Sequence, residues 1–100
     1  MIKIYQIKDQ EAIYPNCSFT YGMGVSNPFD PNKVKDLYVH VADIAGDNFN
    51  EAYEYGNIGP ESFIKRYDSM HSLSIGDIMI DDKGKQVIVA PSGFDEVEVI

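Results

Sequence analysis

The chain opens on a strict alternation. Ile2, Ile4 and Gln6 fall on one side of an extended backbone, and Lys3, Tyr5 and Ile7 on the other. A period of two, rich in β-branched residues, predicts a first strand. A second alternation runs from Leu37 to Ala42, with Leu37, Val39 and Val41 on one face and Tyr38, His40 and Ala42 on the other. In the last third, Asp77 to Ile80 and Lys85 to Ala90 flank Asp81-Asp82-Lys83-Gly84, which predicts an antiparallel hairpin. Pro91-Ser92-Gly93 breaks the pattern. Phe94 to Ile100 then reads as a final strand, with Val97 and Val99 turned away from Glu96 and Glu98.

Between these runs the period lengthens. Phe49, Ala52 and Tyr53 share a helical face by i, i+3, i+4 spacing, Asp47 or Asn48 supplies an N-cap, and Gly56-Asn57 predicts the stop. A second helix is expected from Gly59-Pro60-Glu61, with Pro at its first position and Phe63, Ile64 and Tyr67 as its buried stripe. From Tyr14 to Asp36, three prolines, two glycines and several short polar residues predict turns and loop. A short strand from Ser18 to Tyr21 and one helical turn at Asp30-Pro31 are the exceptions expected there. The sum is an α+β fold: a mostly antiparallel sheet with two short helices packed on one face, in a single domain spanning residues 1–100.

Charge narrows the functional classes. The 100 residues carry a net −8, divided as −2 over residues 1–50 and −6 over residues 51–100. General attraction to nucleic acid or to an anionic membrane is therefore not expected, whereas a basic protein partner fits. Cys17 is the only cysteine, so neither an internal disulfide nor a cysteine metal cluster can form. No apolar run approaches a signal-peptide core or a membrane span, and a cytoplasmic location is expected.

One segment carries a motif. Ser72-Leu73-Ser74-Ile75-Gly76-Asp77-Ile78 follows Met70-His71 and precedes Gly84, Val87 and Gly93-Phe94-Asp95-Glu96-Val97. The pattern resembles the S-[LMT]-S-[VI]-G-D-[IV] and G-[FW]-x-x-[VI] signature of small phage and mobile-element proteins, including the YodL-like group. The Tyr-Val-x-Val-Ala strand leading into a helix that ends in Asn, and the Ile-Tyr-Gln-Ile opening, are similar to the same layout. The resemblance covers most of the chain outside Asp9 to Asp36. It implies the α+β fold and a phage or plasmid setting, which would make the location the host cytoplasm; it brings no established activity. Read physically, Ser72 and Ser74 can bond local amides, Gly76 can take a positive φ, and Asp77 can cap the turn that launches a strand. The functional alternative is a polar pocket lined by His71, Ser72, Ser74 and Asp77 beside Gly93.

Catalytic equipment is sparse. His71 and Ser72 are neighbours, which on a strand sends them to opposite faces, and no Gly-x-Ser-x-Gly elbow exists. His40, His71 and Asp43 would make a two-His-one-carboxylate set only if the fold joined them; a strand histidine is the expected role for His40. Asp81-Asp82 lacks the spacing of a calcium loop, and Gly22-Met23-Gly24 lacks that of a nucleotide loop. Neither a cofactor nor a metal is expected, and an enzyme ranks last. Tyr5, Phe19, Tyr21, Tyr38, Tyr53 and Tyr55 have the chemistry to stack on bases, but only Lys3, Lys8, Lys33 and Lys35 accompany most of them, so core packing is expected.

The expectation that follows is a small acidic interaction protein presenting Glu51, Glu54, Glu61, Asp81, Asp82, Glu96 and Glu98 to a basic partner. The alternatives are a small-ligand or nucleic-acid module using the turn from Ser72 to Asp77 and the strand aromatics, or a homo-oligomer joined through Val97, Val99 and Ile100.

Overall fold

The computed structural model of the chain describes residues 1–24 and 29–100. Six strands form one antiparallel sheet in the order β3-β2-β1-β4-β5-β6. They are β1 (Ile2–Ile7), β2 (Tyr38–Ile44), β3 (Ile64–Arg66), β4 (Ile78–Ile80), β5 (Gln86–Ala90) and β6 (Gly93–Val97), and the helix α1 is Phe49–Ile58. The α+β class and the predominance of antiparallel sheet are as the sequence predicts. The chain's first strand lies at the centre, between β2 and β4.

Both faces of the sheet are apolar over much of their area. On one, Ile2, Ile4, Ala42, Ile44, Met79, Val87 and Val89 are buried together with Ala52 of α1 and Leu73. On the other, Ile7, Tyr38, Ile78, Ile80 and Ile88 are buried beneath Ile13, Phe29 and Val99. Each fully buried Ile contributes about 1.5–3 kcal/mol, so these alternating isoleucines are the main fold-forming signal. The segment expected as loop holds short 3-10 turns at Ser18–Thr20, Pro31–Lys33 and Lys35–Leu37, and another, Gln10–Ile13, precedes it. Residues 25–28, where part of that loop was expected, lie outside the described residues.

Four local expectations are corrected. The strand expected at 18–21 is the 3-10 turn Ser18–Thr20, tied by the Gln10 side chain, which bonds both the Ser18 amide and its hydroxyl. The second helix does not form: Glu61–Phe63 make a single 3-10 turn, and Ile64–Arg66 then pair with β2. Phe63, Ile64 and Tyr67 fit a helical stripe, but β2 has an edge to satisfy, and Lys65 opposite Asp43 adds a cross-strand pair of opposite charges. Among the described residues only one helix therefore packs on the sheet.

In β2 the alternation breaks. Ile4 opposes Ala42 while Tyr5 opposes His40, so Val41 is an extra residue, a β-bulge. It resets the phase: Ala42 joins the face of Ile4, and Tyr38 and His40 occupy the other. The fourth correction concerns α1, which runs through Gly56 to Ile58 and stops at Gly59, with φ +90°. Gly56 serves a different purpose. A Cβ there would lie 2.7 Å from Leu73 Cδ1 and 3.0 Å from Ile44 Cδ1, so the glycine lets helix and sheet close. At the other end of α1, Asn48 accepts from the Glu51 amide at 2.9 Å and Glu51 accepts from the Asp47 amide at 2.7 Å.

Candidate functional site

The 72–77 turn is anchored from below. Asp77 is 1% exposed, and its Oδ2 accepts from the Ser74 amide at 2.9 Å and from Gln6 Nε2 at 3.1 Å. Gln6, also buried, donates to the His71 carbonyl at 2.9 Å and accepts from the His71 amide at 3.3 Å. Gly76, at φ +93°, has the Ser18 carbonyl oxygen 2.2 Å from where a Cβ would stand, while its own carbonyl accepts from the Tyr38 hydroxyl at 2.6 Å. Burial pushes the Asp77 carboxyl up to about 6, against the pull of the Ser74, His71 and Gln6 groups. Burial, followed by the nearby Asp77 charge, also raises the Tyr38 hydroxyl. Asp77 Oδ1 is buried without a hydrogen-bond partner. The motif thus joins three remote parts of the chain, with Ser74, Gly76 and Asp77 in structural roles.

His71 and Ser72 instead face outwards. They line a polar cleft of about 310 Å³ at the C-terminal end of α1, with Tyr55, Asn57, Glu61 and Arg66. Neither Asp77 nor Gly93 lines it, so the pocket expected from all four motif residues is not assembled. His71 Nδ1 lies 2.7 Å from the Ser72 carbonyl oxygen, and no bond joins the ring to a serine hydroxyl among the described residues. Arg66 is held by Glu61 through two bonds of 2.5 and 3.0 Å. That contact lowers the Glu61 carboxyl and raises the guanidinium.

The two histidines lie on opposite faces of the sheet. His71 packs against Gln6, whereas His40 stands beside Tyr5 on the other side. Among the described residues no group of three or more His, Cys, Asp or Glu is placed to hold a metal ion. His40 Nε2 meets Asp43 Oδ1 at 2.8 Å, and the Tyr67 hydroxyl donates to Asp43 Oδ2 at 2.6 Å. Burial opposes ionisation of Asp43, but the Tyr67 and His40 bonds outweigh it and hold the carboxyl below its usual range.

The acidic residues do not form one patch. Asp81 accepts from the Lys83 and Lys85 amides and builds its own turn, and Asp82 pairs with the amino terminus at 3.2 Å. Glu51 caps α1 and Glu61 clamps Arg66. Glu54, Glu96 and Glu98 are exposed and make no side-chain hydrogen bond or ion pair among the described residues. Beside Glu96 on β6 stands Asp95, exposed, which the sequence reading did not single out; the Tyr21 hydroxyl donates to it at 2.8 Å. Burial together with this contact pushes the Tyr21 hydroxyl up to about 12. Val97 and Val99 turn into the second core, and Gln86 ties down the tail by bonding the Val99 and Ile100 amides and the Ile100 carbonyl. Of the apolar edge expected for a homo-oligomer, only Ile100 is left exposed.

No helix is long and apolar enough to cross a membrane among the described residues. Comparison of the chain with family models, with curated proteins and with solved structures finds no match.

Proposed function

We propose that the chain is a small acidic interaction protein of the phage or mobile-element type, working in the host cytoplasm by capturing a basic segment of another protein along β6. The supporting observation is the edge of the sheet itself. β6 is the last strand, and no described strand pairs with its outer side. An unpaired edge offers a row of backbone N–H and C=O groups for strand addition. Asp95 and Glu96 stand exposed on β6, one on each face of the sheet, and Glu98 is exposed in the tail that follows it. Two copies meeting edge to edge would set these carboxylates against one another, so the edge selects a basic strand over a second copy. On α1, whose Phe49 and Tyr53 pack on Phe94 of β6, Glu54 is also exposed. The motif resemblance from Ser72 to Ile78 and from Gly93 to Val97 supports the phage or plasmid setting.

Calorimetric titration with an extended peptide of alternating Lys and Val tests the docking. Binding that weakens steeply with salt and disappears in Asp95→Lys/Glu96→Lys is expected. Equal binding by that variant, or no binding at low salt, overturns it. The same variant, immobilised beside the unaltered protein in host extract, reads out the natural partner.

A further inference from the structure

Among the described residues nothing covers half of the second sheet face. The 3-10 turns and the tail bury Ile7, Tyr38, Ile78, Ile80 and Ile88, whereas Lys3, Lys65 and Tyr67 are exposed and Tyr5, His40 and Asp43 half-buried. The strand register arranges these six in two rows. Lys3 pairs with Asp43 and Asp43 with Lys65, giving a charged row across β1, β2 and β3. Tyr5 pairs with His40, and the Tyr67 amide donates to the bulged Val41 at 2.8 Å, giving an aromatic row beside it.

The rings are ordered. Tyr5 and His40 stack with centroids 5.0 Å apart, and Tyr67 tilts against His40 at 4.9 Å. Tyr67 is 50% exposed, and the Lys65 amine stands over its ring, 5.5 Å from the centroid. The chain is strongly acidic, yet here two lysines face one carboxylate, and His40 and Tyr67 already occupy that carboxylate.

We propose that this half-face binds a short single-stranded nucleic-acid segment. One base stacks on Tyr67 in place of the Lys65 amine, which turns to a flanking phosphate, and a second phosphate meets Lys3; the two lysine backbones stand about 10 Å apart across two strand spacings. A duplex keeps its bases stacked inside and offers none to Tyr67. An acidic protein would engage the lysines but has no use for the aromatic row. Acids elsewhere on the molecule do not prevent contact, because charges beyond about 8 Å are largely screened at physiological ionic strength. The surface lies at the opposite end of the sheet from β6, so its test is independent of the peptide test.

Fluorescence anisotropy with labelled oligo-dT and oligo-U at low salt tests the proposal on the full chain. Micromolar binding is expected, weakened roughly tenfold by Tyr67→Ala and preserved by Tyr67→Phe, as loss and retention of a stacking ring require. Lys65→Glu and Lys3→Glu should weaken it as much, while Lys33→Glu, equal in charge change but beside Val97, stays within about twofold of the unaltered chain. Absence of binding, equal affinity for duplex, displacement by polyglutamate, or equal losses in Lys33→Glu and Lys65→Glu would each overturn it.

Discussion

Gln6 and Asp77 meet inside the molecule, side chain to side chain at 3.1 Å, although 71 residues separate them in sequence. Gln6 comes from the central strand and Asp77 from the turn that feeds the neighbouring strand. The bond therefore fixes how the first and last thirds of the sheet register. It also leaves a carboxylate where water does not reach.

That carboxylate should tilt the stability of the protein with pH. Its folded value of about 6 stands above the ordinary 3.8, so between those values the folded chain binds more protons than the unfolded one. Stability falls as pH rises through this window, by up to about 3 kcal/mol. Urea unfolding at several pH values should show the slope in the unaltered protein and its loss in Asp77→Asn. An unchanged slope would mean that Asp77 is not its source. The lowered carboxyls of Glu61 and Asp68 act with opposite sign at more acid pH, so the difference between the two proteins is the quantity to read.

Gly76 and Gly84 both have positive φ, but only Gly76 is pressed against backbone. Gly76→Ala should cost more than about 3 kcal/mol or abolish folding, because strain and a clash with Ser18 add. Gly84→Ala, in open space, should cost about 1 kcal/mol. Comparable denaturation midpoints for the two variants would contradict this account.

Gly56→Ala is a contest between helix propensity and packing. Alanine gains about 1 kcal/mol in a helix, but its methyl would meet Leu73 and Ile44 well inside contact distance. We expect net destabilisation of about 1–2 kcal/mol, relieved by adding Leu73→Ala less steeply than the two single losses sum. A thermal melt showing Gly56→Ala more stable than the parent would mean that the helix can shift outwards at little cost.

Tyr67→Phe removes the hydroxyl that joins the segment after β3 to Asp43 of β2. Faster amide hydrogen exchange is expected in Ile64–Arg66, with β4 and β5 unchanged. A uniform change across the sheet would place the effect elsewhere.

What could be read from the sequence follows from the physics of alternation. β1 carries a period-two pattern, and β4 and β5 are short apolar runs on either side of a turn sequence; these signals located them. In β2 the alternation separates Val39 and Val41 from Tyr38 and His40 as the structure does, but it puts Ala42 on the wrong face, because an inserted Val41 has no signature distinct from an ordinary strand valine. β3 was missed because three residues cannot show a period, and because Phe63, Ile64 and Tyr67 satisfy a helical spacing equally well. Gly56 reads as a stop, since sequence does not distinguish a glycine that ends a helix from one that lets a neighbour approach. At the motif, Gly76 and Asp77 behave as their types predict, but Gln6 gave no sign of reaching them. The row of Lys3, Tyr5, His40, Asp43, Lys65 and Tyr67 exists only through pairing of three strands, one of them unforeseen.

The strand order has a consequence for how the protein is made. β1 leaves the ribosome first, yet one of its two neighbours is not synthesised until residue 78. Until then the middle of the future sheet is an open rim, and the nascent chain holds a half-built hairpin of β1 and β2. Pairing across so long a separation is slow to nucleate. A translational pause before the codons of β4 would thus prolong the interval in which this chain can pair with the wrong strand.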